Sequence, residues 1–226
     1  MTKKELKTLF YDGFNSKLIE TAYYESILEI PVLKPHNVIE TPTGAIPFSK
    51  RNHKTDEGQM LVYYEQDPEF RELVSIPQEF DEELKDFKFV STPDCSLYRD
   101  MPLIFQLANI AVSRSIGYYH QEQGKYVIPN VRWGDERTYT SVLFEMPPSF
   151  AGIPKDDIVS IGSYGCCQSK EDKYYLIHGL ESMLDYLYPK VVIVYGSYNP
   201  RLFKQFEDRA KFIHIPDWTT QKKGCE

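Results

Sequence analysis

Lys190-Val191-Val192-Ile193-Val194-Tyr195-Gly196-Ser197 carries five consecutive apolar or aromatic residues between a lysine and a Gly-Ser turn. A strand with one wet face would alternate apolar and polar residues. A run without alternation reads as a strand buried on both faces, the signature of a parallel sheet covered by helices. The flanks agree. Residues 171–188 read as a long helix ended by Pro189, and PRLFKQFEDRA (200–210) as a helix opened by Pro200, followed by the strand KFIHIP.

Working back from this stretch, DIVSIGS (157–163), YVIPNV (126–131) and FKFVST (87–92) read as strands. A long helix over 102–123 lies between the first two in chain order, with Pro102 at its start and Gly124 just beyond its end. ERTYTSVLFEM (136–146) reads as a weaker helix. Strand–helix–strand spacing of this kind implies βαβ crossovers and a parallel sheet. The fold class is therefore α/β, a mainly parallel sheet with βαβ units. An open doubly wound sheet and part of a barrel both satisfy the pattern, and a barrel-like, partial or distorted TIM-like arrangement is favoured.

Upstream, MLVYYE (60–65) reads as a strand, and FRELVS (70–75) and FDEELKDF (80–87) as short helices. Residues 35–59, punctuated by Pro35, Pro42, Gly44 and Pro47, read as a long loop, and long loops in compact domains tend to carry function or motion. Apolar spacing over 16–29 predicts a helix capped by Ser16. The expected organisation is an N-terminal helix and long loop over 1–59 packed on an α/β domain over 60–218, with a loose tail over 219–226.

Composition narrows the function. The 226 residues carry a formal net charge of −7, so general polyanion binding would need a local basic patch. Lys50, Arg51 and Lys54, and farther on Arg201, Lys204, Arg209 and Lys211, are candidates for one. Seventeen tyrosines favour contact surfaces that are part apolar and part polar. The N-terminal MTKKELKTLFYDGF has no apolar segment after its lysines, so no signal peptide is expected, and no run is long enough to suggest a membrane span. Cys95, the adjacent Cys166 and Cys167, and Cys225 lack zinc-knuckle spacing and read as free thiols of a reducing cytoplasm. His36, His53, His120, His178 and His214 show no metal-ligand spacing, so no metal and no cofactor is expected. Neither a GxSxG elbow nor a GxGxxG loop occurs.

What the strands do carry is polar chemistry at their ends. In a parallel sheet, residues that end strands far apart in sequence meet on one rim. These are Asp94; Asn130, Arg132, Trp133 and Asp135; Ser163 with Tyr164, Gly165 and Cys166; and Tyr195 and Ser197. Asp94 and Asp135 are the candidate catalytic acid, base or nucleophile. Arg132 and Arg114 are candidate phosphate contacts, and Trp133 a stacking surface. Asp94 read as a helix cap, Arg132 as an ion-pair partner of Asp94 or Asp135, and Trp133 as loop packing are the bland alternatives. On the long helix, Gln106, Asn109 and Ser113 recur at helical spacing and could face the same rim.

Thr92-Pro93-Asp94-Cys95-Ser96-Leu97-Tyr98, Asp100-Met101-Pro102, Asn109, Arg114, Ile128-Pro129-Asn130-Val131-Arg132-Trp133, Gly165, Gly179-Leu180 and Tyr195-Gly196, in that order, resemble domain-of-unknown-function family 4417. The resemblance spans about residues 30–215. It implies a setting in phages and other mobile elements, and no particular reaction. A fainter likeness is to the barrel of base-exchanging transglycosylases, which use strand-end aspartates on a nucleoside; their zinc ligands have no counterpart here.

Two functions follow as expectations. One is an enzyme of hydrolase or glycosyl-transfer type acting on a nucleotide or nucleic acid. Its site would be Asp94 and Asp135, with ligand contacts from Arg132, Trp133, Asn130, Asn109, Arg114, Ser163, Tyr195 and Ser197. The other is a non-catalytic protein that binds and inhibits a host defence or replication protein through an acidic, tyrosine-rich surface. Neither involves a membrane.

Overall fold

The computed structural model describes residues 15–163 and 169–223. Two short strands, β1 (Tyr24–Glu25) and β2 (Ile30–Pro31), form an antiparallel hairpin. Seven further strands follow: β3 (Gly44–Pro47), β4 (Gln59–Val62), β5 (Phe89–Ser91), β6 (Tyr126–Ile128), β7 (Ile158–Gly162), β8 (Val191–Tyr195) and β9 (Lys211–Ile215). Strands β3 to β6 pair in parallel in chain order, as do β7 to β9. A parallel bridge between Asn130 and Ser160 joins the two groups. It is made by Val131 N–H donating to the Ser160 carbonyl and Ser160 N–H to the Pro129 carbonyl, each at 2.8 Å.

The sheet curls. One apolar cluster takes residues from all seven parallel strands, among them Ala45, Met60, Phe89, Ile128, Ile158, Ile193 and Ile215. Tyr64, just after β4, stacks on Tyr195 at the end of β8 with ring centroids 4.9 Å apart. Those strands are four steps apart, about 19 Å in a flat sheet at ~4.8 Å per strand, so the stack exists only because the sheet bends on itself. Among the described residues no hydrogen-bonded pair joins β9 to β3, and no closed barrel forms. The gap is flanked by a short helix, Trp218–Lys223, whose Gln221 side chain donates to the Ala45 carbonyl at 3.3 Å. Residues 219–223, expected in a loose tail, thus belong to a helix.

Helices cover the outer face: α1 (Asp67–Ser75), α2 (Asp81–Leu84), α3 (Leu103–Glu122), α4 (Glu136–Tyr139), α5 (Lys170–Leu187), α6 (Pro200–Phe203) and, after β9, α7 (Trp218–Lys223). The unbroken 191–195 run now has a physical account. Val191, Ile193 and Tyr195 point to the inner cluster, while Val192 and Val194 pack outward with Leu180, Leu184 and Phe203 under α5 and α6.

Three local expectations are corrected. Residues 16–29 do not form a helix: a 3-10 turn over Ser16–Leu18 leads into the β1–β2 hairpin. Tyr23 and Ile27 are 85% and 79% exposed, so no apolar helical face was available to bury. The 35–59 loop contains β3, which pairs with β4 over its whole length, so the sheet begins inside the expected N-terminal extension. Helix α4 stops at Tyr139, far short of Met146.

Candidate functional site

The strand ends converge around Tyr64. Its hydroxyl donates to Asn130 Oδ1 at 3.0 Å, and its ring lies on Tyr195. Gly162 at the end of β7 approaches so closely that a Cβ there would sit 2.7 Å from Tyr64 Cδ1. Ser163 continues the ring of contacts, donating its hydroxyl to the carbonyls of Tyr195 and Ser197. Tyr195 accepts at its own hydroxyl from Trp218 N–H at 3.2 Å. Tyr164, Gly165, Cys166, Cys167 and Cys225 lie outside the described residues.

Asp94 is buried and doubly held. Asn130 Nδ2 donates to one carboxylate oxygen at 2.7 Å, and Arg132 Nη1 donates to the other. Burial pushes its carboxyl above the ordinary carboxylate range, against the pull of Arg132 and Asn130. Arg132 remains about a third exposed. The pairing of Arg132 with Asp94, rather than with Asp135, is one of the two alternatives the sequence left open.

Asp135 does a different job. It is the N-cap of α4, accepting from Arg137 N–H at 3.0 Å, and it also receives a forked pair of bonds from the Arg137 guanidinium. Arg137 holds its carboxyl below the usual range despite partial burial. No hydrogen bond or ion pair links Asp135 to Asp94 among the described residues.

Arg114 is turned into the core. It is 2% exposed, and its guanidinium donates to the carbonyls of Ala151, Asn130 and Ser149 at 3.0, 3.1 and 2.9 Å. Burial lowers its pKa to about 10. A planar fork aimed at three fixed carbonyls is a structural clamp between α3, the end of β6 and the segment before β7. Trp133 is likewise spent on packing. Its Nε1–H donates to the Tyr175 carbonyl at 2.9 Å, and its indole lies against Gly179, where a Cβ would sit 2.1 Å from Nε1. The polar line on α3 serves the segment after β5: Gln106 donates to the Met101 carbonyl, Asn109 to Ser96, and Ser113 to Pro93. Cys95 is buried there, and burial pushes its thiol up, away from nucleophilic reactivity. The cavity between these groups, lined by Pro93, Asn109, Ser113, Arg114, Asn130 and Arg132, measures about 10 Å³, roughly one water.

The loops and helix starts that leave these strand ends differ in character. Tyr98, Ile104 and Phe105 follow β5, Val142 and Leu143 follow β6, and Tyr174 follows β7; every one of the six is more than half exposed. Arg99 knits the three segments together. It donates to Asp172 in α5 at 2.9 Å, lies over the Tyr175 ring at 4.8 Å, and offers its carbonyl to Arg137 at 3.3 Å. Of the six, only Tyr98 stood out in the sequence, as the end of the 92–98 stretch. Ile104-Phe105 in the first turn of a helix opened by Pro102 was the available signal. Within the local basic stretches, Arg51 pairs with Glu83, and Arg209 with Asp185.

Fold and rim together describe a curled, parallel α/β protein in which Asp94, Asn130, Asp135 and Ser163 bond to groups of the chain itself. The profile of a domain of unknown function (DUF4417) matches residues 22–216, and the chain belongs to that family. It is 31% identical over 188 residues to the Gene 1 protein of Mycobacterium phage L5, covering 83% of this chain and 78% of that protein. It is also 31% identical over 172 residues to the Gene 1 protein of Mycobacterium phage D29, covering 76% of this chain and 61% of that one. No solved structure matches. Among the described residues, no group of potential ligands could hold a metal, and no helix is long and apolar enough to cross a membrane.

Proposed function

We propose that this protein is a docking module, binding another protein through the rim at the carboxyl ends of its parallel strands. The observation that carries the reading is the set Tyr98, Ile104, Phe105, Val142, Leu143 and Tyr174, all exposed and all on segments leaving β5, β6 or β7. Single exposed apolar residues are ordinary, but six on the segments that follow three neighbouring strands favour an interaction surface. Aromatic anchors beside ionic groups such as Arg99 and Asp172 match the composition of protein interfaces. The acidic segment 65–86, with nine carboxylates against Arg71 and Lys85, would repel acidic partners and favours a partner with basic flanks.

The enzymatic alternative asks for two carboxylates free to exchange protons with a ligand. Asp94 is committed to Asn130 and Arg132, and Asp135 to Arg137 and its helix, which weighs against that use. The family relationship to phage proteins makes a phage or host protein the natural candidate partner.

The test is affinity capture from phage-infected host cells with three forms of the chain. The wild type and Asp94→Asn are expected to retain the same partner, and the Ile104→Glu/Phe105→Glu double variant to lose it by about a hundredfold or more in affinity, as for loss of interface hot spots. Retention by the double variant together with loss on Asp94→Asn would overturn the docking reading in favour of the polar site.

A further inference from the structure

The opposite end of the sheet holds a cavity of about 310 Å³, within the size range of small-ligand sites. It is lined by Lys34, His36, Lys88, Gln121, Lys125 and Tyr126, with Pro35 and Gly124. None of its lining residues is acidic, and three are lysines. Parallel pairing creates the cluster: Phe89 registers with Tyr126, so Lys88 and Lys125 enter neighbouring strands side by side.

His36 is the built part of this site. Its backbone N–H and its Nδ1 both reach Asp157, at 2.8 Å and at 3.0 and 3.1 Å, and its ring stacks on Tyr126 with centroids 3.8 Å apart and planes 12° from parallel. A carboxylate facing Nδ1 requires a proton there. The remaining nitrogen, Nε2, is buried and has no hydrogen-bond partner among the described residues. Buried polar atoms are normally paired, and one that is not calls for a missing partner. Stapling the 35–40 segment to β7 needs only Nδ1 and the backbone; it explains neither the unpartnered nitrogen nor the lysines near it.

We infer that this pocket binds a small organic phosphate, a phosphomonoester held by Lys34, Lys88 and Lys125, with the lone pair of His36 Nε2 accepting from the P–OH of its monoanion. The lysines can be recruited. Lys34 and Lys88 are half or more exposed, and their present pairs with Glu122 and Glu40 are surface contacts that exchange readily for a phosphate. Lys125 donates to the Leu84 and Lys85 carbonyls, which leaves one of its three ammonium hydrogens unspent by those bonds. Gly124 has a φ of 77° and open space where a Cβ would lie, so its backbone stands clear at the pocket edge.

The test is calorimetric titration of the full chain with AMP, ribose 5-phosphate, adenosine and inorganic phosphate. AMP or ribose 5-phosphate is expected to bind saturably and adenosine is not; AMP above ribose 5-phosphate would assign a nucleotide, and equality a sugar phosphate. Lys34→Met/Lys88→Met and, separately, His36→Gln should each weaken binding at least ~10-fold, the scale of lost charge-assisted contacts. A thermal melt without ligand guards the first variant, whose two exposed lysines should leave the melting temperature nearly unchanged. The proposal is overturned if neither organic phosphate binds at up to about 10 mM, a level beyond any useful affinity. Equal binding by wild type and the folded lysine variant, or binding of inorganic phosphate alone, would overturn it as well.

Discussion

The Tyr64 ring lies 4.9 Å from the Tyr195 ring at an interplanar angle of 14°, a contact between strands separated by three others in the sheet. It is the point where the curl closes at the carboxyl end, and Gly162 is what makes room for it. Gly162→Ala would put a methyl group 2.7 Å from Tyr64 Cδ1. The expected cost is about 1–3 kcal/mol, the usual penalty of overpacking. Tyr64→Phe keeps the stack and removes the hydroxyl with its bond to Asn130, so about 1 kcal/mol is expected. Urea unfolding monitored by circular dichroism separates the two. A glycine variant as stable as the wild type would mean that the rings are free to part.

Arg114 makes the sharper stability prediction. Its three carbonyl acceptors come from two separate segments, and no carboxylate accompanies it. Arg114→Lys preserves charge but offers a point donor where a planar fork is needed. Arg114→Met preserves length and leaves three buried carbonyls without this donor. Losses on the order of 2 kcal/mol for lysine and 3 kcal/mol or more for methionine are expected from the cost of unpaired buried groups. Equilibrium unfolding in guanidinium chloride checks both, and a methionine variant no less stable than the lysine variant would refute the clamp.

Much of this architecture could be read from the sequence, and the losses have identifiable physical causes. The apolar runs at 158–162 and 191–195 announced themselves because both faces of those strands are buried. Strand β3 did not, since Gly44-Ala45-Ile46-Pro47 is bracketed by turn residues and owes its existence to pairing with β4, a contact no local window contains. Convergence of Asp94, Asn130, Arg132, Ser163 and Tyr195 follows from parallel topology. The state of each group does not, because whether a carboxylate is free or already bonded depends on side chains from other strands. The basic pocket escaped notice for a related reason. Lys88, Lys125 and Asp157 stand immediately before β5, β6 and β7, at the strand starts, where parallel topology by itself marks no site.

Asp157 predicts a pH dependence. It accepts from His36 N–H, His36 Nδ1 and Ile158 N–H, and although burial works against the charged form, these bonds hold its carboxyl below the ordinary range. A carboxylate with a lowered folded pKa contributes stability above the unfolded value, near pH 3.9, and loses it as pH falls through the folded value. Asp157→Asn should therefore be less stable than wild type near neutrality, with the difference shrinking as the pH drops below about 4. Thermal melts from pH 3 to 7 report this, and a difference independent of pH would mean that the charge is irrelevant to the staple.

Trp133 provides an optical test of how the rim is tied to α5. Gly179 on that helix lies under the indole, and the nearest indole atoms would be 2.1 to 2.5 Å from any added Cβ. Gly179 is a helix-interior residue, where alanine by itself is favoured by about 1 kcal/mol. Helix propensity and packing thus predict opposite signs for Gly179→Ala. A Cβ–ring overlap of this size cannot be relieved by a rotamer change alone, because the indole is also anchored through Nε1 to the Tyr175 carbonyl. Packing should win, with a net loss of about 1–3 kcal/mol and an indole driven toward solvent. The emission of Trp133, isolated by Trp218→Phe in both backgrounds, should shift to the red in the alanine variant. An unchanged spectrum with raised stability would show that the indole is not held on the helix and that propensity alone governs the site.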